Sequence, residues 1–194
     1  MAYIGLSQSI VAPLQTEVKG QMPTYASGFF IGEPISVSVS LQRSQVKLQG
    51  GDKTVDSDNS VTGGSVTFNT TTIPQSAYPH FGYVEKTVEG SEVVRYVKTG
   101  DASQYVGFGF VRTIRNANVL SYEATWIYKM QMDEDAINGS TKGDSVQFQT
   151  PNLTGTLLGV ETDDSGKVHW YEHTTFQTAA EALAYLKNYA GMSA

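Results

Sequence analysis

At 194 residues, with 40% hydrophobic and 16% charged residues, the chain has enough length and apolar content for a large single domain that buries roughly 70% of its unfolded surface. Cysteine is absent and the three histidines, His80, His169 and His173, are scattered, so a disulfide framework is excluded and no metal site or cofactor is expected. A net charge of −6 argues against a surface that grips nucleic acid, because affinity for DNA comes mainly from Lys and Arg that release counterions from phosphates.

The amino terminus, MAYIGLSQSIVAPLQTE, lacks a basic start and an unbroken apolar core, and no apolar run approaches ~20 residues. Neither a secretion signal nor a membrane span is expected, and synthesis and folding in a cytoplasm are. Residues 1–34 carry Pro13, Pro23 and Pro34 with several glycines and only short apolar pieces. They read as an extended arm or edge segment that pairs with another subunit, or as an irregular start lying on its own domain. The main domain is expected over 35–194.

ISVSVSL, Ile35 to Leu41, alternates apolar and serine positions and predicts a strand with Ser36, Ser38 and Ser40 outward. Val46 and Leu48 extend it or begin a partner. From Gln49 the composition turns to Asp, Ser, Asn and Gly, and 50–64 reads as a long exposed loop or hairpin tip. Asp52, Asp56 and Asp58 lack the glycine and terminal glutamate of a calcium loop. Ser65 to Thr70 is a short strand. Pro74 fits the first turn of a short helix that Pro79 limits. Val84 to Val88 and Val93 to Val97 form a hairpin-like pair.

Val106, Phe108 and Phe110 share one phase of the next strand and Gly107 and Gly109 the other, the glycines allowing close packing against a bulky neighbour. RNAN supplies a turn. Tyr122, Ala124, Trp126, Tyr128, Met130 and Met132 then share a face opposite Glu123, Thr125, Lys129 and Gln131, as in an amphipathic strand with one wet side. Asp133, Glu134 and Asp135 read as a solvated acidic cluster in a polar connection. Ser145 to Thr150 alternates Val146 and Phe148 with Gln147 and Gln149, and Pro151 stops that run or pushes it to an edge.

Glu161 to Glu172 places residues at several ligand positions of a calcium loop, but strand-like flanks favour a hairpin turning at Asp164 to Gly166, with Val168 and Trp170 inward. Thr178 and Glu181 form a capping box for a helix over 178–190. Ala179, Ala182, Leu183, Leu186 and Ala190 make its apolar stripe and Gly191 ends it. No nucleophile elbow, phosphate loop, zinc motif or dinucleotide fingerprint is present. Catalytic and metal-binding residues are therefore not expected.

Two pieces, TWIYKMQM and TKGDSVQFQTPNLTG, resemble the major tail tube proteins of long-tailed, non-contractile bacteriophages. The likeness extends over roughly Ile35 to Gly191, through an early strand, a long polar loop, a proline-rich short helix and a terminal AAEALAYL helix in the same order. Pro79 departs from it by shortening the helix. The resemblance implies a mainly β, antiparallel sandwich or barrel-like fold with a flanking C-terminal helix and long loops or arms. It also implies stacked homohexameric rings in a virion, forming a conduit for DNA ejection.

Its implied partners are further copies of the chain, tail terminator, tape measure and distal tail proteins, with transient, non-gripping contact to DNA and no membrane. Gly50, Gly51, Asp52, Lys53, Asp56, Asp58, Asn59, Gly63 and Gly64 are then candidates for ring-to-ring stacking. Glu123, Thr125, Gln131, Asp133, Asp135, Gln147 and Gln149 are candidates for the lumen wall. Two other classes compete: a monomeric carbohydrate- or ligand-binding β-sandwich with a cleft near Tyr171 or Tyr83, and a tube protein of a related contractile or secretion system. An enzyme ranks behind both.

Overall fold

A computed structural model describes residues 2–88, 92–134, 137, 139, 141 and 148–192. Strands β1 (Ala2–Thr16), β2 (Thr24–Tyr25), β3 (Phe29–Phe30), β4 (Pro34–Arg43), β5 (Val46–Gly50), β6 (Lys53–Asp58) and β7 (Val61–Thr70) precede a 3₁₀ helix, Gln75–Phe81. After it come β8 (Val84–Val88), β9 (Glu92–Tyr96), β10 (Tyr105–Asn116), β11 (Val119–Glu134), β12 (Asn152–Leu157), β13 (Tyr171–Phe176) and the helix α1 (Ala179–Tyr189). Every strand pairing is antiparallel, and the fold is mainly β and sandwich-like with the helix at its carboxyl end.

Strand β11 belongs to both layers. Tyr122 to Ile127 pair with β13, whereas Met130 to Glu134 pair with β12. The switch occurs at a bulge: Val106 faces Met130 and Phe108 faces Ile127, so Gly107 alone opposes Tyr128 and Lys129. One extra residue bends a strand and inverts its side-chain phase. The expectation that Tyr122 through Met132 share one face is therefore corrected. Ala124, Trp126 and Tyr128 face the helix, and Met130 and Met132 face the space between the layers.

The first layer, β1–β10–β11–β13, is covered on both sides. Val11, Phe108, Phe110 and Ile127 meet Val66, Phe68, Leu153 and Leu157 of the second layer, β11–β12–β7–β4. On the reverse side Ile10, Ala12, Val111, Ala124 and Trp126 meet Ala182, Leu186 and Ala190 of α1. Gly107 and Gly109 have the role expected of them. A Cβ on either would lie 2.6 Å from the Trp126 ring, so the indole lies flat across bare backbone.

Helix α1 starts at the expected capping box. Thr178 Oγ1 accepts from the Glu181 N–H at 3.2 Å, and the Glu181 carboxylate accepts from the Thr178 N–H at 3.1 Å. It ends in a Schellman motif, with Met192 N–H donating to Lys187 O, Gly191 N–H to Asn188 O, and Gly191 at φ 61°. Of the expected stripe, Ala182, Leu186 and Ala190 are fully buried, Leu183 is half-buried and Ala179 is exposed.

Of the two readings of the amino-terminal segment, the one that lays it on its own domain applies over much of its length, though as a regular strand. Residues 2–16 form β1, which runs along β10 and buries Ile10, Val11 and Ala12 completely. Its apolar centre is continuous with both cores, so it packs on its own chain. Only the part before Ile10 has its second edge unpaired by β2 or β3, and there the edge-segment reading applies.

Candidate functional site

The outer face of the second layer is built from three rows of polar residues. Ser40, Ser65, Thr156 and Gln131 lie side by side across β4, β7, β12 and β11; Ser38, Thr67, Thr154 and Asp133 form the next row; Ser36, Asn69 and Asn152 the third. The intervening positions, among them Val39, Val66, Met132, Phe68 and Leu153, point into the core. Strict alternation thus makes these three rows hydroxyls and amides with one carboxylate and no Lys or Arg; Lys129, two residues before Gln131, adjoins the first row with its ammonium 4.4 Å from the Tyr105 ring centre and paired with Glu17. Asn69 Nδ2 donates to Ser36 Oγ at 2.8 Å along the third row.

At one end of this face the β4–β7 pair continues as a hairpin of its own. Strands β5 and β6 form a separate two-stranded sheet, turning at Gly51 and Asp52, both with φ 58°. That is the left-handed pair a two-residue type I′ turn requires. The expected loop is therefore the hairpin tip, and Gly63 and Gly64 are corrected from loop to strand β7. A Cβ on Gly64 would lie 2.7 Å from Ser40 O, so the pairing itself demands a glycine.

Asp56 and Asp58 lie opposite Leu48 and Val46. Asn59 O accepts from Arg43 Nη1 at 3.2 Å, tying the hairpin root. The Ser60 N–H, and then its hydroxyl, hold the Asp58 carboxyl below the usual carboxylate range. Val46, Leu48 and Val55 are 66%, 62% and 60% exposed. A two-stranded hairpin is marginal in water without a third surface, so this one presents unused apolar area.

The lumen candidates divide. Gln131 and Asp133 lie on the polar face, Gln131 half-buried with its amide donating to Ser103 O at 3.0 Å and Asp133 exposed. Glu123 and Thr125 do not lie there; they are only 6% and 4% exposed, between the layers, because β13 and β4 close over them. Glu123 accepts from Arg112 and from Tyr3. Asp135 and Gln147 lie outside the described residues, as does the first half of the expected Ser145 to Thr150 strand. Gln149 is exposed and Phe148 to Thr150 are not strand; the strand begins after Pro151, where the missing N–H costs no ladder bond.

Around Glu161 to Glu172 the chain makes the expected turn, with Gly166 at φ 69° and Val160 bridged to His169. Trp170 packs against the core, but Val168 is exposed, contrary to expectation. Among the described residues no group of three His, Asp or Glu side chains is arranged to hold a metal.

Sequence reasoning missed two features. Glu172, beneath α1, accepts from Tyr128 Oη at 2.5 Å and from Tyr185 Oη. Burial raises its pKa, but hydrogen bonds from Tyr128, Tyr185 and Tyr189 outweigh that and leave it lowered. The other is a cleft of about 180 Å³ between β4 and β13, lined by Val37, Val39, Phe110, Arg112, Thr125, Tyr171 and His173. Its parts come from four strands, and no local pattern joins them. No protein-family model matches the chain, and no curated protein matches it.

Proposed function

We propose that this chain is a structural subunit that self-assembles into stacked hexameric rings, forming a phage tail tube through which DNA is ejected. The observation that carries this reading is the junction of two surfaces: three rows of polar residues without Lys or Arg, running into a hairpin with exposed Val46, Leu48 and Val55. A wall of hydroxyls and amides does not exchange counterions with phosphate, so DNA slides past it. The hairpin reaches the next ring, where its apolar residues find cover.

The likeness of TWIYKMQM and TKGDSVQFQTP to tail tube proteins supports the same reading. The chain then acts without catalysis, is made in a host cytoplasm, and ends in a virion beside tail terminator, tape measure and distal tail proteins. A second reading, a ligand-binding β-sandwich, is favoured by the cleft beside Tyr171.

Removing residues 46–58 tests the proposal. Ser44 N–H already donates to Ser60 O at 2.8 Å, so Gln45 and Asn59 can close a short turn. The shortened chain is expected to melt like the wild type and to form no tubes by electron microscopy, where the wild type forms tubes of uniform bore. Normal tubes from the deletion, or a wild type that stays monomeric at high concentration, would refute the assignment.

A further inference from the structure

The cleft beside Tyr171 is the end of a longer trench. A second hollow, lined by Leu41 and by Val168, His169, Trp170 and Glu172, continues from it and shares Tyr171 and His173. One wall is β4, which among the described residues pairs only with β7; the other is β13, which among them pairs only with β11. Each wall therefore has an unpaired edge of backbone N–H and C=O groups. Val37, Val39 and Leu41 point inward from β4, spanning about 13 Å at ~3.3 Å per residue.

At the base of the trench, Thr125 Oγ1 and Arg112 Nε are buried with no hydrogen-bond partner among the described residues. Arg112 Nε is a donor and the Thr125 hydroxyl donates or accepts; a buried polar atom left unpaired is unfavourable, so an acceptor that reached both from the trench would be favoured. Arg112 has its charge balanced by Glu123, to which its Nη2 donates, and its guanidinium lies 4.2 Å from the Tyr3 ring centre. With the Arg112 charge balanced, a neutral carbonyl suits these two atoms better than an anion, while Lys167 and Glu172 line the second hollow. Apolar walls, strand edges and two donors for carbonyl oxygens together describe a receptor for an extended peptide.

We propose that this trench receives the β5–β6 hairpin of a second copy of the chain. This inference rests on the self-assembly proposed above. The hairpin carries exposed Val46, Leu48 and Val55, with Asp58 and Asp56 beside the first two on the same face, two strand edges unpaired among the described residues, and β5 of about 13 Å at ~3.3 Å per residue. A chain cannot fill its own trench, because the hairpin leaves β4 beyond Arg43 while the trench runs alongside residues 37–41. The contact is head-to-tail, the kind that propagates rather than closing as a dimer.

Two defective variants test the joint. Tyr171→Lys blocks the trench and keeps the hairpin; Leu48→Asp spoils the hairpin and keeps the trench. Each alone is expected to form no tube and to go no further than a single ring, and a mixture of the two to give paired rings and nothing longer, since one sound joint remains. Thr125→Val, which removes a buried unpaired donor with little change of shape, is expected to raise the melting temperature of the monomer while weakening assembly about tenfold. It serves as the trench variant should Tyr171→Lys fail to fold.

The chain has no cysteine, so Leu48→Cys combined with Val168→Cys is expected to give a ladder of disulfide-linked multimers on oxidation. Wild-type tubes with no ladder, and Tyr171→Lys tubes indistinguishable from them, would overturn the hairpin-in-trench joint and leave self-assembly standing. A wild type that never assembles would overturn both. Binding of a soluble oligosaccharide that Thr125→Val abolishes, with assembly unaffected, would assign the trench to a ligand instead.

Discussion

Ser36 to Ser40 in one layer and Glu123 to Thr125 in the other are written in the same period-2 code, yet the serines face outward and the glutamate and threonine are buried. The difference lies in what covers each layer. The second layer has a core on one side only, so its polar positions define a surface. The first layer has the opposite sheet on one side and α1 on the other. Alternation there separates two buried environments, one apolar and aromatic, the other containing a charge pair and a hydroxyl. A polar residue in an alternating strand therefore marks solvent only when nothing is docked on its side.

The largest expected effect comes from the doubly covered layer. Trp126 is fully buried, its ring 5.5 Å from Tyr189 in a stacked arrangement and 5.2 Å from Tyr25 edge-on, and its Nε1–H donates to Tyr25 Oη at 3.3 Å. Gly107 and Gly109 beneath it have no side chains with which to refill the space. Trp126→Ala is expected to cost about 4 kcal/mol in urea unfolding followed by the fluorescence of Trp170. A loss below ~1 kcal/mol would mean that α1 is not a structural cover of this layer.

A smaller effect is expected where α1 meets Glu172. Hydrogen bonds from three tyrosines leave this carboxyl with a lowered pKa despite its burial, so its contribution is present above the ordinary carboxylate range. That contribution is lost as pH falls through the folded-state value, which lies below the ordinary carboxylate range. Glu172→Gln is expected to cost about 1 kcal/mol at pH 7, discounted for partial exposure, and to flatten the acid limb of the melting-temperature profile. An unchanged acid limb would move the titrating group elsewhere.

How much of this was legible in the sequence follows the same division. The capping box, the serine strand and the packing role of Gly107 and Gly109 depend on near neighbours, and they stand as expected. The phase of Met130 depends on a bulge opposite Gly107, and the burial of Glu123 depends on strands more than forty residues away in sequence. Pro151, whose sequence context suggests that it stops a strand or pushes it to an edge, is followed directly by β12. The alternation in VTFNT and NLTGTL could have extended the serine face across β7 and β12. The trench could not have been found that way, since its two donors are paired or unpaired only by tertiary arrangement.

The smallest structural effect, and the sharpest test of the contrast between layers, belongs to the polar face. Thr67 sits in the middle row between Ser38 and Thr154 and is exposed, so Thr67→Lys is expected to change the melting temperature by less than about 2 °C. In a tube with this face inward, six added lysines per hexameric ring would give phosphate something to hold. DNA retention by the variant would fall steeply with added salt, while wild-type tubes would retain none. A lysine here that leaves folding intact and DNA behaviour unchanged in assembled tubes would place the face outside the bore. A large drop in melting temperature would instead show that the second layer, like the first, is covered on both sides.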